Sequence, residues 1–191
     1  MDYSNFRTKQ EDFLEHYRHV AETMPHHQPR PRGRPVTTLA FVDASHAANI
    51  KTRKSHTGYI IFINQAPIIW YSKRQQTVET SSFSSEFIAL KACTEAIVSL
   101  QFKLRRFGIP MVAGHATKVL CDNKRVLNNS SKVKSVLNKK HNSLAYHYIR
   151  WAVAAGIITV GWISGNENLA DVFTERLSDT VRDYLFGNWC Y

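Results

Sequence analysis

The sequence is short of cysteine, of acidic residues and of long apolar runs, and each shortage closes off a class of protein. Its three cysteines, Cys93, Cys121 and Cys190, are an odd number with no CxxC pair, which fits neither a disulfide framework nor a zinc ribbon and points to a reducing compartment. The longest apolar stretches, IIFI before Asn64 and WAVAA before Gly156, fall well short of the ~20 residues that a bilayer demands. The N-terminal segment MDYSNFRTKQEDFLEHYRHV alternates charges with aromatics and lacks the apolar stretch of a signal peptide, so an intracellular protein is expected. No GxSxG elbow is present, and serine hydrolysis is therefore unsupported.

What is present fits one folded domain with an appendage. The 191 residues are 43% hydrophobic and 21% charged, ordinary values that exclude a disordered or collagen-like chain. Against 15 acids stand 25 lysines and arginines, a formal charge of +10, which favours a polyanionic partner such as nucleic acid. Lys118, Lys124, Arg125, Lys132, Lys134, Lys139 and Lys140 surround a single acid, Asp122. A lone carboxylate in so basic a stretch calls for a reason. His16, His19, His26 and His27 resemble a metal cluster, but no cysteine lies near them and a solvated polar segment is the simpler account.

Residues 1–36 separate from the rest. A short helix is expected over 3–24, and HHQPRPRGRP at 26–35 cannot continue it, so an arm or linker ends near Pro35. From Thr37, TTLAFVDAS, YIIFIN and IIWYSKR, joined by turns, read as three strands of a meander. Phe83, Phe87, Leu90, Thr94, Ile97 and Leu104 recur at helical spacing, with Ser81 or Ser82 as cap and Gly108 and Pro110 as the stop. TKVLCD predicts a fourth strand followed by a brief helix from Asn123, and 132–140 reads as a basic loop. A second long helix is expected to start near His141 with Leu144, Ala145, Tyr148, Ile149 and Ala152 on one face. IITVGWI then gives a fifth strand, and NENLADVFTERLSDTVRDYLF a final helix. Such an order predicts an α/β domain, a mixed sheet with helices on its faces, whose central strands open at their C-terminal ends onto a crevice.

Four acids stand where that crevice would be. Asp43 is expected to end the first strand after LAFV and Asp122 the fourth after VLC, Glu86 lies one turn into the first long helix, and Asp171 follows NLA at the start of the last helix. Converging carboxylates repel one another unless a divalent cation sits among them, and Mg²⁺ prefers such oxygen ligands. Two such ions can position a water, bind a scissile phosphate and stabilise a leaving oxygen. Nearby lysines would hold the nucleic-acid backbone.

The blocks FVDAS, RKSHTGYIIFINQAPIIWYSKRQQTVETSSFSSEFIALKA, VLCDN, KKHNSLAYHYIR and NLADVFTERL, in that order, resemble the ribonuclease H domain of copia-type LTR-retrotransposon polyproteins. The resemblance covers roughly Val36 to Leu177. It implies a ribonuclease H-like fold with a mixed five-stranded sheet and flanking helices, over 37–178, with 1–36 as an arm left from the polymerase connection and 179–191 as the end of a helix and tail. It also implies hydrolysis of the RNA strand of an RNA–DNA hybrid with two Mg²⁺ ions, Mn²⁺ being able to substitute. A retroelement polymerase domain is the implied protein partner. Asp43, Glu86, Asp122 and Asp171 become the catalytic, metal-binding acids, with Asp43 bridging both ions, Glu86 and Asp122 on one and Asp171 on the other. His141 or Glu167 is a candidate for proton transfer or product release, the alternative for His141 being a helix cap or a phosphate contact. Asn123, Lys124, Arg125, Lys139 and Lys140 are the candidate nucleic-acid contacts, Asn123 also capping the short helix. Recognition is expected through 2′-hydroxyls and the minor groove rather than base sequence.

The resemblance breaks at Ser45 and His46, at Ser143, and at Glu175, Arg176 and Leu177, none of which is one of the four acids. Integrases place their glutamate last, whereas Glu86 falls between Asp43 and Asp122, and proofreading exonucleases pair Asp-x-Glu on the first strand, where residue 45 is serine. No Asp-Asp dipeptide is available for a polymerase. The alternative function is a noncatalytic nucleic-acid-binding module or a decayed retroelement fragment.

Overall fold

The computed structural model describes residues 17, 20, 22, 24, 26–132 and 142–187. Five strands, β1 (Thr38–Ser45), β2 (His56–Ile63), β3 (Ala66–Arg74), β4 (Thr117–Cys121) and β5 (Ile158–Trp162), form one sheet in the order β3-β2-β1-β4-β5. The β1–β2 and β2–β3 pairs are antiparallel, and β1–β4 and β4–β5 are parallel. The expected mixed sheet with flanking helices is therefore the observed one. Strands run apolar on consecutive residues because both faces are covered. Ala40, Val42 and Ile61 join a large core with Phe87, Leu90, Ile97 and Ile149, while Phe41, Ile60, Phe62 and Leu120 pack on the other face with Ile163 and Ala170.

Helix α1 (Ser82–Arg106) begins where Ser81 accepts a hydrogen bond from the Ser84 backbone N–H at 3.3 Å, and its last turn carries Lys103, Arg105 and Arg106 against the negative end of the helix dipole. It stops at Gly108, whose φ of +70° and close approach to the Arg30 carbonyl both favour glycine. Around that stop the last residues of the expected arm are tied to the domain, because Arg32 donates to the Gly108 carbonyl at 2.7 Å and Val36 to that of Pro110 at 2.9 Å. Helix α2 (Lys124–Ser131) and helix α3 (Ser143–Ala154) lie on the same face as α1. Among the described residues no helix is long and apolar enough to cross a membrane.

The structure departs from the sequence expectations in three places. First, β1 runs two residues beyond Asp43, to Ser45 paired with His56. Second, α3 buries Ala145, Ile149 and Ala152 as expected, but its inward face is shifted at the edges. Leu144 is 83% exposed, whereas Tyr146 is buried with its ring 6.3 Å from that of Phe87. Buried Arg150 donates to the Lys132 carbonyl at 2.9 Å, a partner that fixes the rotation of the helix. Third, the expected final helix is split into two 3₁₀ turns, Gly165–Glu167 and Asp171–Phe173, and a separate α4 (Asp179–Phe186). Asn168 is the physical cause, since its side chain donates to the Val42 carbonyl and accepts from the Ala170 N–H, tying the segment to β1 in place of a helical ladder. Ser178 restarts the helix by accepting from the Val181 N–H. Most of the helix expected over 3–24, the loop 133–140 and His141 lie outside the described residues.

Candidate active site

Parallel pairing of β1 with β4 places Phe41 opposite Leu120, so two residues further on Asp43 and Asp122 stand side by side at one edge of the sheet. Glu86 reaches the same edge from the first turns of α1. Oxygens of Asp43, Glu86 and Asp122 fall within 4.8 Å of one another, and this is the one potential metal-holding group among the described residues. Asp171, on the second 3₁₀ turn rather than on a helix, stands beside the trio, near enough for Asp43 and Asp122 to act on its ionisation.

Burial and mutual repulsion govern the charge state of the cluster. Desolvation first, and then the neighbouring acids, push Asp43 up to about 6, Glu86 to about 8 and Asp171 to about 8. Asp122 is also raised, by burial. Side-chain hydrogen bonds oppose the shift at two of them. Thr174 donates to Asp43 Oδ2, and the Asn123 amide donates to Glu86 Oε1 at 3.1 Å. Glu86 Oε2, Asp122 Oδ1 and Asp171 Oδ1 are buried without any hydrogen-bond partner. Buried carboxylate oxygens without a donor, on and beside a trio of acids within 4.8 Å, fit a hard divalent cation, because unpaired buried acceptors are otherwise costly.

The surroundings position these groups. Asn123 caps α2 as expected, accepting from the Arg125 and Val126 N–H groups, and the same side chain holds Glu86. The Trp162 indole donates to the Asp122 carbonyl at 2.9 Å, and Lys124 Nζ sits 4.7 Å from the centroid of that ring. Lys124 and Arg125 line an open cleft with Ser82, Glu86, Asp122 and Asn123. Glu167 lies on the turn that abuts Asp122, where a Cβ added at Gly165 would stand 3.4 Å from Asp122 Oδ2. His141, Lys139 and Lys140 lie outside the described residues.

Sequence reasoning missed three contributors. Thr174 and Trp162 contact the acids only through long-range packing. Gly58 was legible in principle as a glycine inside a strand pattern, which signals close backbone approach. A Cβ there would come within 2.6 Å of Thr174 and 2.8 Å of Phe173, so only glycine lets the Asp171–Phe173 turn lie against β2.

No protein-family model matches the sequence. It is 29% identical over 161 residues to the retrovirus-related Pol polyprotein from transposon RE2 of Arabidopsis thaliana, covering 84% of this chain and 11% of that protein. With the Pol polyprotein from transposon TNT 1-94 of Nicotiana tabacum it shares 32% identity over 137 residues, 71% of this chain and 10% of the other. Among solved structures, LC11-RNase H1 in complex with RNA/DNA hybrid matches with a TM-score of 0.56 at 13% identity, covering 72% of this chain and 94% of that one. The chain is a ribonuclease H-fold relative of the retrovirus-related Pol polyproteins of plant transposons. It spans about a tenth of the length of the curated relatives that it matches. In this ribonuclease H fold the acid cluster occupies the crevice at the C-terminal ends of the central parallel pair, where open α/β sheets bind ligands.

Proposed function

We propose that the chain is the ribonuclease H portion of a copia-type retroelement polyprotein and hydrolyses the RNA strand of RNA–DNA hybrids. The observation that carries this reading is the convergence of Asp43, Glu86 and Asp122 within 4.8 Å, with orphaned oxygens on Glu86, Asp122 and neighbouring Asp171. Asp43, Glu86, Asp122 and Asp171 would hold two divalent cations of the Mg²⁺ or Mn²⁺ class. When bound, such ions make water a competent nucleophile at neutral pH and stabilise charge on the departing oxygen of the phosphodiester.

The protein's own groups supply the rest. Asp43, held by Thr174, and Glu86, held by Asn123, keep their carboxylates in place before any ion arrives, which limits reorganisation on binding. Lys124 and Arg125 attract the polyanion toward the acids, and Asn123 adds a polar contact at the same cleft. Lys139, Lys140 and His141 are assigned to the same interface on the sequence resemblance. In this reading residues 37–178 carry the activity, 1–36 lead toward a polymerase domain, and α4, which begins at Asp179 as a helix of its own, follows the nuclease domain. The setting is intracellular.

Cleavage of an end-labelled RNA–DNA hybrid by the purified chain, with Mg²⁺ and with EDTA, tests the reading beside an Asp43→Asn variant. RNA-strand cutting by the wild type alone, ending in 3′-hydroxyl and 5′-phosphate, is the expected outcome. A hybrid that is bound but intact in both Mg²⁺ and Mn²⁺ would make the chain a binding module.

A further inference from the structure

The arm segment PRPRGRP, residues 29–35, has no part in the acid cluster. Its arginines fall at 30, 32 and 34, alternating with Pro31, Gly33 and Pro35. Prolines hold the chain and the residues before them in extended conformations, and in an extended chain every second side chain projects to one side, about 6–7 Å apart. Three guanidiniums spaced by proline and glycine make a narrow cationic strip, with no bulky side chain between the charges.

The domain fastens this strip without covering it. The Arg32 and Val36 N–H groups are held by the Gly108 and Pro110 carbonyls, while residues 26–35 are all exposed. Between those anchors the loop turns at Gly33, φ +82°, where an added Cβ would meet nothing within 4 Å. The space around that glycine is open. A groove can therefore close on the backbone there, and glycine can straighten or bend inside it at no steric cost.

Helix α1 adds to the charge. Arg106 donates to the His27 carbonyl at 3.5 Å, which sets its guanidinium beside the arm, and Lys103 stands exposed in the same last turn. None of Arg30, Arg32, Arg34, Lys103 and Arg106 has an ion-pair partner among the described residues. No acid occurs between residues 24 and 42 or between 96 and 121, and Glu22, just before the first stretch, is taken by Arg105. Lys103 lies about 25 Å from Glu86 along the axis of α1 at the usual helical rise. This charge is thus remote from the candidate active site.

A strip so narrow and so basic matches a narrow groove of strong negative potential. The minor groove of B-form DNA narrows in A·T-rich sequence, and its potential there draws arginine. Its floor at A·T pairs carries acceptors only, whereas each G·C pair adds an amino donor that opposes a guanidinium. We propose that Arg30, Arg32 and Arg34 enter the minor groove of A·T-rich duplex DNA, with Lys103 and Arg106 on the flanking phosphates. The site is separate from the hybrid cleft and does not depend on the nuclease reading.

The test uses the full chain in EDTA, with fluorescent A·T-rich and G·C-rich DNA duplexes of equal length followed by anisotropy across a salt series. The wild type is expected to favour the A·T-rich duplex by at least about 10-fold, and netropsin, which fills the A·T minor groove, should displace it. Arg32→Gln and Arg34→Gln should each weaken that binding about 3- to 10-fold, with the log–log salt slope reduced by roughly 0.9 per lost contact. Arg34→Lys should keep the salt slope and lose much of the A·T preference, because the compact, strongly hydrated ammonium suits the groove less well than a guanidinium. Lys51→Gln, an exposed charge on the β1–β2 loop, should bind within twofold of the wild type. The substituted side chains are exposed and Arg32 is tied through its backbone, so thermal melts should match the wild type. Equal binding of both duplexes by the wild type, or a preference that survives in both Arg→Gln variants, would overturn the proposal. So would binding to heparin that matches binding to the A·T-rich duplex at every salt concentration, since the arm would then be a general polyanion surface.

Discussion

Thr174 donates its hydroxyl hydrogen to Asp43, from a turn that the chain reaches 131 residues later. The contact satisfies a carboxylate that burial would otherwise push still higher, since the Thr174 hydrogen bond is the largest influence lowering its pKa. Thr174→Val keeps the shape and removes the donor. A cost of about 1–3 kcal/mol is expected for leaving the buried acceptor unsatisfied, read as a lower urea midpoint in EDTA. Mg²⁺ should restore part of that loss if the ion takes over the freed oxygen.

Gly58 holds the turn that presents Thr174. Adding a methyl there would set a Cβ 2.9 Å from the Ala170 carbonyl as well as against Thr174 and Phe173, and backbone cannot swing aside as a side chain can. Gly58→Ala should therefore destabilise the fold by about 1–3 kcal/mol through overpacking and displace Asp171. Thermal melting checks the first effect. Loss of Mg²⁺-dependent stabilisation beyond that of an equally destabilised core variant, such as Ile149→Val, checks the second.

Much of this architecture was legible in the sequence because its signals are local. The β-branched and aromatic run YIIFIN marked a strand, and the three- and four-residue recurrence from Phe83 to Leu104 marked α1 between Ser81 and Gly108. Asp43 and Asp122 stood out because each closes an apolar run. The features that escaped are set by distant partners. Asn168 breaks the expected last helix through Val42, 126 residues away. Tyr146 and Arg150 shift the inward face of α3 through Phe87 and Lys132, contacts that cannot be read from spacing alone.

The raised carboxylates make stability depend on pH in a definite direction. Asp43, Glu86 and Asp171 begin from 3.8, 4.5 and 3.8 and rise to about 6, 8 and 8 in the folded chain, so the native state holds protons that the unfolded state gives up. Their contribution is fully present below the ordinary carboxylate range and is lost as pH rises through about 6 to 8. In EDTA the melting temperature should fall between roughly pH 4.5 and pH 8 and level off above that. Millimolar Mg²⁺ should flatten or reverse that fall, because a cation that binds the ionised acids of the native state stabilises it by linkage. An unchanged profile with Mg²⁺ would mean that the acids do not hold it.

Asn123 does two jobs that two substitutions separate. Asn123→Ala removes both the α2 cap and the donor to Glu86, and a loss of about 1 kcal/mol is expected from the cap alone. Asn123→Asp keeps a capping oxygen but places a fourth negative group against Glu86, whose Oε1 then loses its donor. The aspartate variant should cap α2 as well as asparagine does, by amide hydrogen exchange at Arg125 and Val126, yet melt lower above pH 7 than below pH 6. Equal pH profiles for the two variants would show that the contact with Glu86 has no bearing on its charge.

The acid cluster also predicts a trade between stability and function. Glu86→Gln removes one charge from a group of mutually repelling carboxylates and retains an oxygen to accept from Asn123. Its new amide can donate to the oxygens of Asp43 or Asp122 that face it within 4.8 Å. Without metal the variant should be more stable than the wild type by about 1 kcal/mol, which for a chain of this size raises the melting temperature by about 2–4 °C. The gain should grow with pH, since the wild-type repulsion grows as its acids ionise. With Mg²⁺ the order should invert, because only the wild type keeps its full set of ligands, and hybrid cleavage should fall at least a hundredfold, on the order of 3 kcal/mol in the barrier. A Glu86→Gln variant that is less stable in EDTA at pH 8 would show that Glu86 is held by favourable contacts and not merely tolerated, and the electrostatic account of the site would fail with it.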